Sequence, residues 1–213
     1  MSEKLSKMAD LLIAGNVDEV TKLAQECIDD GMEAQEVLSN GLLAGMEVVG
    51  QRFKTCEMFI PEVLRSAKAM SSAMEILRPL LSEADSKSAG TFVIGTVKGD
   101  LHDIGKNLVG MMFEGAGFRV VNLGIDLEAD VFVEAVKEHK PDILGMSALL
   151  TTTMPRMGEV INALKEAGIR DQVKIMVGGA PVTKDYAEQI GADAYGANAP
   201  MAVDVGKEIL GKA

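Results

Sequence analysis

Two side chains near the middle of the chain could do chemistry together. Asp100 and His102 stand two residues apart in the stretch Gly95-Thr96-Val97-Lys98-Gly99-Asp100-Leu101-His102-Asp103-Ile104-Gly105. Residues two apart in extended or turning backbone can project to the same side. A carboxylate can then hold one ring nitrogen of a histidine and leave the other free to bind a metal. The apolar run Thr91 to Val97 precedes the pair and reads as a buried strand, and Lys106 to Phe113 follows it and reads as a helix. The pair therefore sits on a strand-to-helix turn, at the edge of an open α/β sheet where ligands bind. A histidine in a glycine-rich turn can also cap a helix or bond backbone, and the spacing alone leaves both uses open.

Further candidates follow later strands: Ser147-Ala148-Leu149, then Thr151-Thr152-Thr153, then Gly178-Gly179, then Tyr195-Gly196-Ala197. Each has a plainer use. The threonines can form a helix N-cap, and a glycine pair commonly marks a tight turn with positive φ. Asp103 fits an ordinary first-turn acid favoured by the helix dipole. His139, the other histidine, falls at a polar helix C-terminus, where a solvated side chain is expected. Gly95-x-x-x-Gly99 has neither the Gly-Lys-Ser/Thr ending of a P-loop nor the spacing of a dinucleotide fingerprint, so neither ATP nor NAD is indicated.

The elements that must position these residues divide the chain in two. Residues 1–83 carry helical periodicity and predict a four-helix bundle: Ser2 to Ala14, Val17 to Asp30, about Glu33 to Phe53, and Pro61 to about Ser82. Asn16 can cap the second helix and Gly31 can end it. Gly41, Gly45 and Gly50 would let helices approach closely, and the methionines read chiefly as core filling. The polar stretch 84–90 reads as a linker. Over 91–213 strands alternate with helices. Strands are predicted at Thr91–Val97, Arg119–Leu123, Asp142–Ser147, Lys174–Val177 and Asp193–Tyr195. Helices are predicted near Ile104–Glu114, Glu128–His139, Thr153–Ala167, Thr183–Ile190 and Pro200–Leu210. Five such units with short connections imply a five-stranded parallel sheet of flavodoxin-like (Rossmann-like) order, with its switch point between the first and third strands. The Asp-x-His turn and Ser147 flank that point.

At 213 residues and 47% hydrophobic content the chain has ample core. A net charge of −11 argues against nonspecific nucleic-acid binding. No apolar run is long enough to span a bilayer, and the first residues lack a signal peptide's apolar core. Cys27 and Cys56 fit no zinc spacing and read as reduced core thiols. A cytoplasmic protein is expected.

Asp100-x-His102-x-x-Gly105, Ser147-x-Leu149 and Gly178-Gly179, in this order and each after a predicted strand, resemble the signature of the cobalamin-binding (corrinoid) family. The helical half resembles the cap preceding that domain in methionine synthase and in methyltransferase corrinoid proteins. The resemblance covers nearly the whole chain. It implies that His102 binds cobalt from below in place of the cofactor's dimethylbenzimidazole, with Asp100 on its other ring nitrogen. Thr153 completes the family's triad where the family has serine. Gly99 and Gly105 would let backbone approach the corrin, Asp103, Ile104 and Thr151 would contact the cofactor, and Ser147, Leu149, Gly178, Gly179, Tyr195, Gly196 and Ala197 would lie along the buried nucleotide tail. Phe53 and Ile60 match the apolar cap residues that cover methylcobalamin.

The implied function is that of a methyl carrier rather than a complete catalyst. One substrate-specific corrinoid methyltransferase would load it, and a second would unload it to a folate, pterin or thiol carrier. A reductive activating protein would accompany them. Methylamines, methanol, glycine betaine and methoxylated aromatics are the donors of such systems, each chosen by the partner. An adenosylcobalamin mutase subunit carries the same motifs but usually lacks the helical cap. A B12-dependent sensor or regulator would need a DNA-binding module. A plain flavodoxin-like interaction module would need none of the three motifs.

Overall fold

The computed structural model describes residues 3–81 and 89–212. They form two compact units, one over 3–81 together with 114–117, the other over 89–113 and 118–212. Most of the expected linker lies outside the described residues.

The first unit is helical. Helix α1 (Glu3–Ile13) is followed by α2 (Val17–Asp29). Helix α3 (Ala34–Val37), a wide π turn (Leu38–Leu43) and α4 (Ala44–Lys54) then run end to end, and α5 (Ile60–Leu77) follows. Asn16 caps α2 by accepting the Glu19 N–H. The third helix of the sequence reading is thus one rod whose backbone loosens midway. Small residues permit its close packing. A Cβ on Gly41 would stand 2.8 Å from Met8 Sδ, and one on Gly45 3.1 Å from the Ala9 carbonyl. Leu5, Met8, Leu12, Val20, Cys27, Val49, Val63, Met70 and Leu77 fill the interior. Helix α5 ends at Leu77 and gives way to a 3-10 turn over Arg78–Leu80, short of the expected Ser82, because Pro79 cannot supply the next helical N–H. Cys56 is a correction to the pair of core thiols. Cys27 is buried, but Cys56 is exposed, with φ +62° in the turn after α4.

The second unit is a five-stranded parallel sheet of order β2-β1-β3-β4-β5. Its strands are β1 (Thr91–Val97), β2 (Arg119–Leu127), β3 (Ile143–Ser147), β4 (Lys174–Gly178) and β5 (Ala194–Gly196). Helices α6 (Ile104–Gly115), α7 (Ala129–His139), α8 (Pro155–Glu166), α9 (Lys184–Ile190) and α10 (Ala199–Ile209) connect and follow them. Every residue of β1 is buried, as both faces of a central parallel strand must be. The order reverses between β1 and β3, so a crevice opens at their C-terminal ends. At that edge the register aligns Thr96 with Ser147, Ser147 with Gly178, and Gly178 with Gly196. Residues far apart in sequence thereby form one row across the sheet.

Three expectations are corrected here. Strand β2 runs to Leu127, four residues past its predicted end, through two register shifts against β1. Gly124 and Asp126, both with positive φ, break the alternation that marks a strand and so read as loop. Helix α8 begins at Pro155, later than Thr153, and its N-cap position is Met154 without a side-chain bond. His139 ends α7 as expected but is mostly buried, with a side chain 21% exposed.

Candidate functional site

The site is built on the turn between β1 and α6. The Asp100 side chain is fully buried there, and donors converge on it from its own turn and from the turn after β3. Oδ1 accepts the His102 backbone N–H at 3.1 Å and lies 2.7 Å from His102 Nδ1. Oδ2 accepts the backbone N–H groups of Leu149 at 2.7 Å and Leu150 at 3.3 Å. The Thr153 hydroxyl lies 2.8 Å from Oδ2 and 2.9 Å from the Leu150 carbonyl, and its single proton serves the charged acceptor. Burial by itself would raise the Asp100 carboxyl. The bonds from Leu149, the His102 ring, Thr153 and the His102 N–H outweigh burial and hold it well below the usual carboxylate range. Asp100 is therefore an anion, and an ionised carboxylate only accepts. The proton of the 2.7 Å contact belongs to His102 Nδ1, so whenever the ring is neutral its unprotonated nitrogen is Nε2.

The remainder of His102 is fixed and presented. Thr96, buried in β1, donates its hydroxyl to the His102 carbonyl at 3.0 Å. The side chain is 51% exposed, and no partner is bonded to Nε2 among the described residues. Around it stands an apolar collar. Leu101 and Ile104, on either side of His102, are 66% and 76% exposed, and Leu149, Leu150 and Ile125 are exposed as well. A surface of this kind marks a binding site. Gly105, next to Ile104, has free space where its Cβ would be and no positive φ, so nothing among the described residues requires glycine there.

The other candidates are distributed along the sheet edge. Ser147, Gly178 and Gly196 share the cross-sheet row. A Cβ on Gly178 would stand 2.9 Å from the Gly196 carbonyl, and one on Gly179 only 1.9 Å from the Ala148 carbonyl at a φ of +129°. The glycine pair thus serves both readings, a tight turn and backbone at close quarters. Thr151 is exposed, Tyr195 half-buried and Ala197 exposed at the far end of the edge, with no direct bond to the Asp100–His102 pair. Asp103 has a local partner in Asn107, whose Nδ2 lies 3.0 Å from its Oδ2. Phe53 and Ile60 belong to the first unit, Phe53 half-buried near the end of α4 and Ile60 exposed at the start of α5 beside exposed Phe59.

Sequence reasoning passed over four contributors. Thr96 is hidden in an apolar strand, where a hydroxyl would have been the signal. Leu150 adds an N–H and apolar surface. Lys106 is a buried cation, its Nζ 2.6 Å from Asn107 Oδ1 and 2.6 Å from Asn122 Oδ1, and burial lowers its pKa. Asp126 folds back from β2 onto the turn. Its Oδ1 accepts the Gly99 N–H at 2.8 Å and its own N–H donates to the Asp100 carbonyl at 3.1 Å.

A doubly wound sheet with a carboxylate-held histidine at its switch point, preceded by a helical unit, defines a cofactor-binding class of flavodoxin-like proteins. Comparison with known proteins narrows it. The family described as B12 binding domain matches residues 90–204, and a second family of the same description matches residues 5–78. The trimethylamine corrinoid protein 1 of Methanosarcina acetivorans is 44% identical, over 98% of this chain and 97% of its own. The dimethylamine corrinoid protein of Methanosarcina barkeri is 44% identical over 98% of both. Among solved structures, a chain of the methanol:cobalamin methyltransferase complex MtaBC from Methanosarcina barkeri superposes with a TM-score of 0.90 at 33% identity, covering all of this chain and 81% of that one. The chain belongs to the B12-binding corrinoid proteins. Among the described residues no helix is long and apolar enough to cross a membrane.

Proposed function

We propose that the protein carries a methyl group between two methyltransferases, one specific for the methyl donor and one that loads a folate, pterin or thiol carrier. A reductive activating protein keeps the system competent. The bound corrinoid supplies the chemistry, a cobalt centre that accepts and releases methyl. The chain's own residues hold it. His102 would hold the cobalt through Nε2, Asp100 and Thr153 would fix the tautomer of the ring, and Gly105 and the apolar collar would lie against the corrinoid. Ser147, Gly178, Gly179 and the β5 end provide the channel for the nucleotide tail.

The observation that carries this reading is the half-exposed His102, its Nδ1 locked on a buried anion and its Nε2 without a partner among the described residues, inside an apolar collar. A single imidazole holds a metal firmly only when the other ligands arrive with it, and among the described residues no three His, Cys, Asp or Glu side chains gather to hold a bare ion. Relatives named for tri- and dimethylamine and for methanol support one-carbon transfer, with the donor set by the partner enzyme. The two cysteines are free thiols, in keeping with a cytoplasmic setting.

The test is reconstitution with methylcobalamin. The wild type is expected to give the spectrum of histidine-ligated, base-off cofactor. His102→Ala is expected to retain corrinoid but lose that signature, and added imidazole should restore it. A mutant spectrum identical to wild type would remove His102 from the metal.

A further inference from the structure

We infer that Asp126 is a positioning residue for the Asp100–His102 pair, acting through the backbone of the turn that carries it. The inference rests on the proposed role of His102 and adds to the site a residue from a different strand.

The geometry is particular. Asp126 occurs one residue before the end of β2, beyond Gly124 at φ +98° and two shifts of register. Its own φ is +57°, a left-handed conformation that a non-glycine residue adopts at a cost and that aspartate tolerates better than most. That conformation lets one residue make two bonds to the turn. The Asp126 carboxylate takes the N–H of Gly99, and the Asp126 N–H gives to the C=O of Asp100. The pair Gly99–Asp100 is thereby gripped at both ends of its backbone. Within the turn itself, the Asp100 backbone N–H makes one bond, to the Val97 carbonyl at 3.2 Å. Lys98 Nζ, 3.5 Å from Asp126 Oδ1 and 3.3 Å from Glu128 Oε1, holds the carboxylate from the outer side.

The grip matters because the Asp100 carboxylate must meet donors from separate segments at once, between 2.7 and 3.3 Å. Leu149, Leu150 and Thr153 lie on the turn between β3 and α8, whereas Asp100 lies on a separate turn between β1 and α6. A shift of the Asp100 backbone by a few tenths of an ångström would lengthen the bonds on one carboxylate oxygen or the other and turn the carboxylate away from the His102 ring. Asp126 removes that freedom. Strain at one residue is thus maintained where it fixes the geometry of another.

Three forms of the protein, all free of corrinoid, decide the matter. Asp126→Gly relieves the left-handed strain and loses the carboxylate, so the chain is expected to fold while the Gly99 bond is lost. Asp126→Asn keeps an oxygen acceptor and the backbone N–H. With 15N-labelled histidine, the ring nitrogens of His102 report its tautomer, and solvent exchange of Nδ1–H reports the bond to Asp100. The wild type should show a protected Nδ1–H. Asp126→Gly should show exchange roughly tenfold faster with a mixture of tautomers, and Asp126→Asn should restore both readings to wild type. Unchanged protection in Asp126→Gly would overturn the inference. Loss in Asp126→Asn as large as in Asp126→Gly would also overturn it, since the charge and not the acceptor would then be at work. Failure of the wild type to take up corrinoid would sink the functional reading without touching these measurements.

Discussion

Replacing Asp100 by asparagine should invert the tautomer of His102, and the structure sets the size of the effect. The carboxylate offers acceptors on both oxygens, and all its partners there are donors. An amide offers one oxygen and one NH2. With the NH2 at the Oδ2 position it would confront the N–H groups of Leu149 and Leu150. With the NH2 at Oδ1 it confronts only the His102 backbone N–H, because the imidazole can turn from donor to acceptor by shifting its proton to Nε2. Each buried donor left facing a donor costs about 1–3 kcal/mol. The second orientation is therefore favoured by about one such penalty, a factor of roughly 5 to 150. Nε2 then carries the proton and is masked toward a metal. Restoring the ligating tautomer would set Nδ1–H against the NH2 at the former 2.7 Å contact. The affinity of the ring for cobalt should fall about 10- to 100-fold, the range seen when the partner of a metal-bound histidine is removed.

The chain has two histidines, so 15N-histidine spectra of the corrinoid-free protein resolve them without crowding. Wild-type His102 should be the Nδ1–H form and the Asp100→Asn variant the Nε2–H form, with a matching loss of the histidine-ligated spectrum after reconstitution. Nδ1–H in both proteins would refute the reasoning. Acid stability supplies a second reading of the same change. The Asp100 carboxyl titrates lower in the folded than in the unfolded chain, so below about pH 4 protons bind the unfolded state first. Its contribution to stability is present above that pH and is lost as the pH falls. Asp100→Asn lacks this group, and its acid limb should be the shallower.

Two glycines give opposite predictions. Gly105→Ala places a Cβ in open space at the start of α6, so thermal stability should stay unchanged or rise by up to about 1 kcal/mol. Corrinoid affinity, measured by equilibrium titration, should nevertheless fall roughly tenfold, and undiminished binding would mean that no ligand approaches there. Gly179→Ala meets the Ala148 carbonyl at 1.9 Å and an unfavourable φ, so it should lose about 2 kcal/mol or more and about 5 °C in melting temperature even without ligand. A wild-type melting curve would count against the backbone approach.

How much of this was legible in the sequence depended on how local the signal was. The five strand and helix pairs were readable because each strand is a short apolar run ended by a turn residue and each helix has a 3.6-residue period. The sheet order follows from handedness, and it brings Asp100 and Ser147 to one crevice. The helical unit was read as four rods, but the π turn at Leu38–Leu43 leaves no mark in the pattern, since the same residues would satisfy an unbroken helix. The exposure of Cys56 was missed because cysteine composition suggests burial on average, while its left-handed turn is a property of one loop.

The site was legible in its chemistry and not in its support. Asp100 and His102 announce themselves by type and spacing, but what makes them a unit is convergence from elsewhere. Leu149 and Leu150 contribute through backbone N–H groups, which any residue possesses. Thr96 contributes through a hydroxyl inside a strand whose other residues are there for packing. Asp126 appeared to lie in a loop, because the glycine and the left-handed backbone that carry β2 back to the turn are the features that disguise a strand. Such residues carry no motif. Their function is to hold a charge or a peptide within a few tenths of an ångström of where the histidine needs it, and that requirement is met by geometry that many sequences can supply. A search for the site by residue type therefore finds the ligand and its anion, whereas the residues that decide the ligand's tautomer and reach emerge only when the donors of one buried carboxylate are traced to their strands.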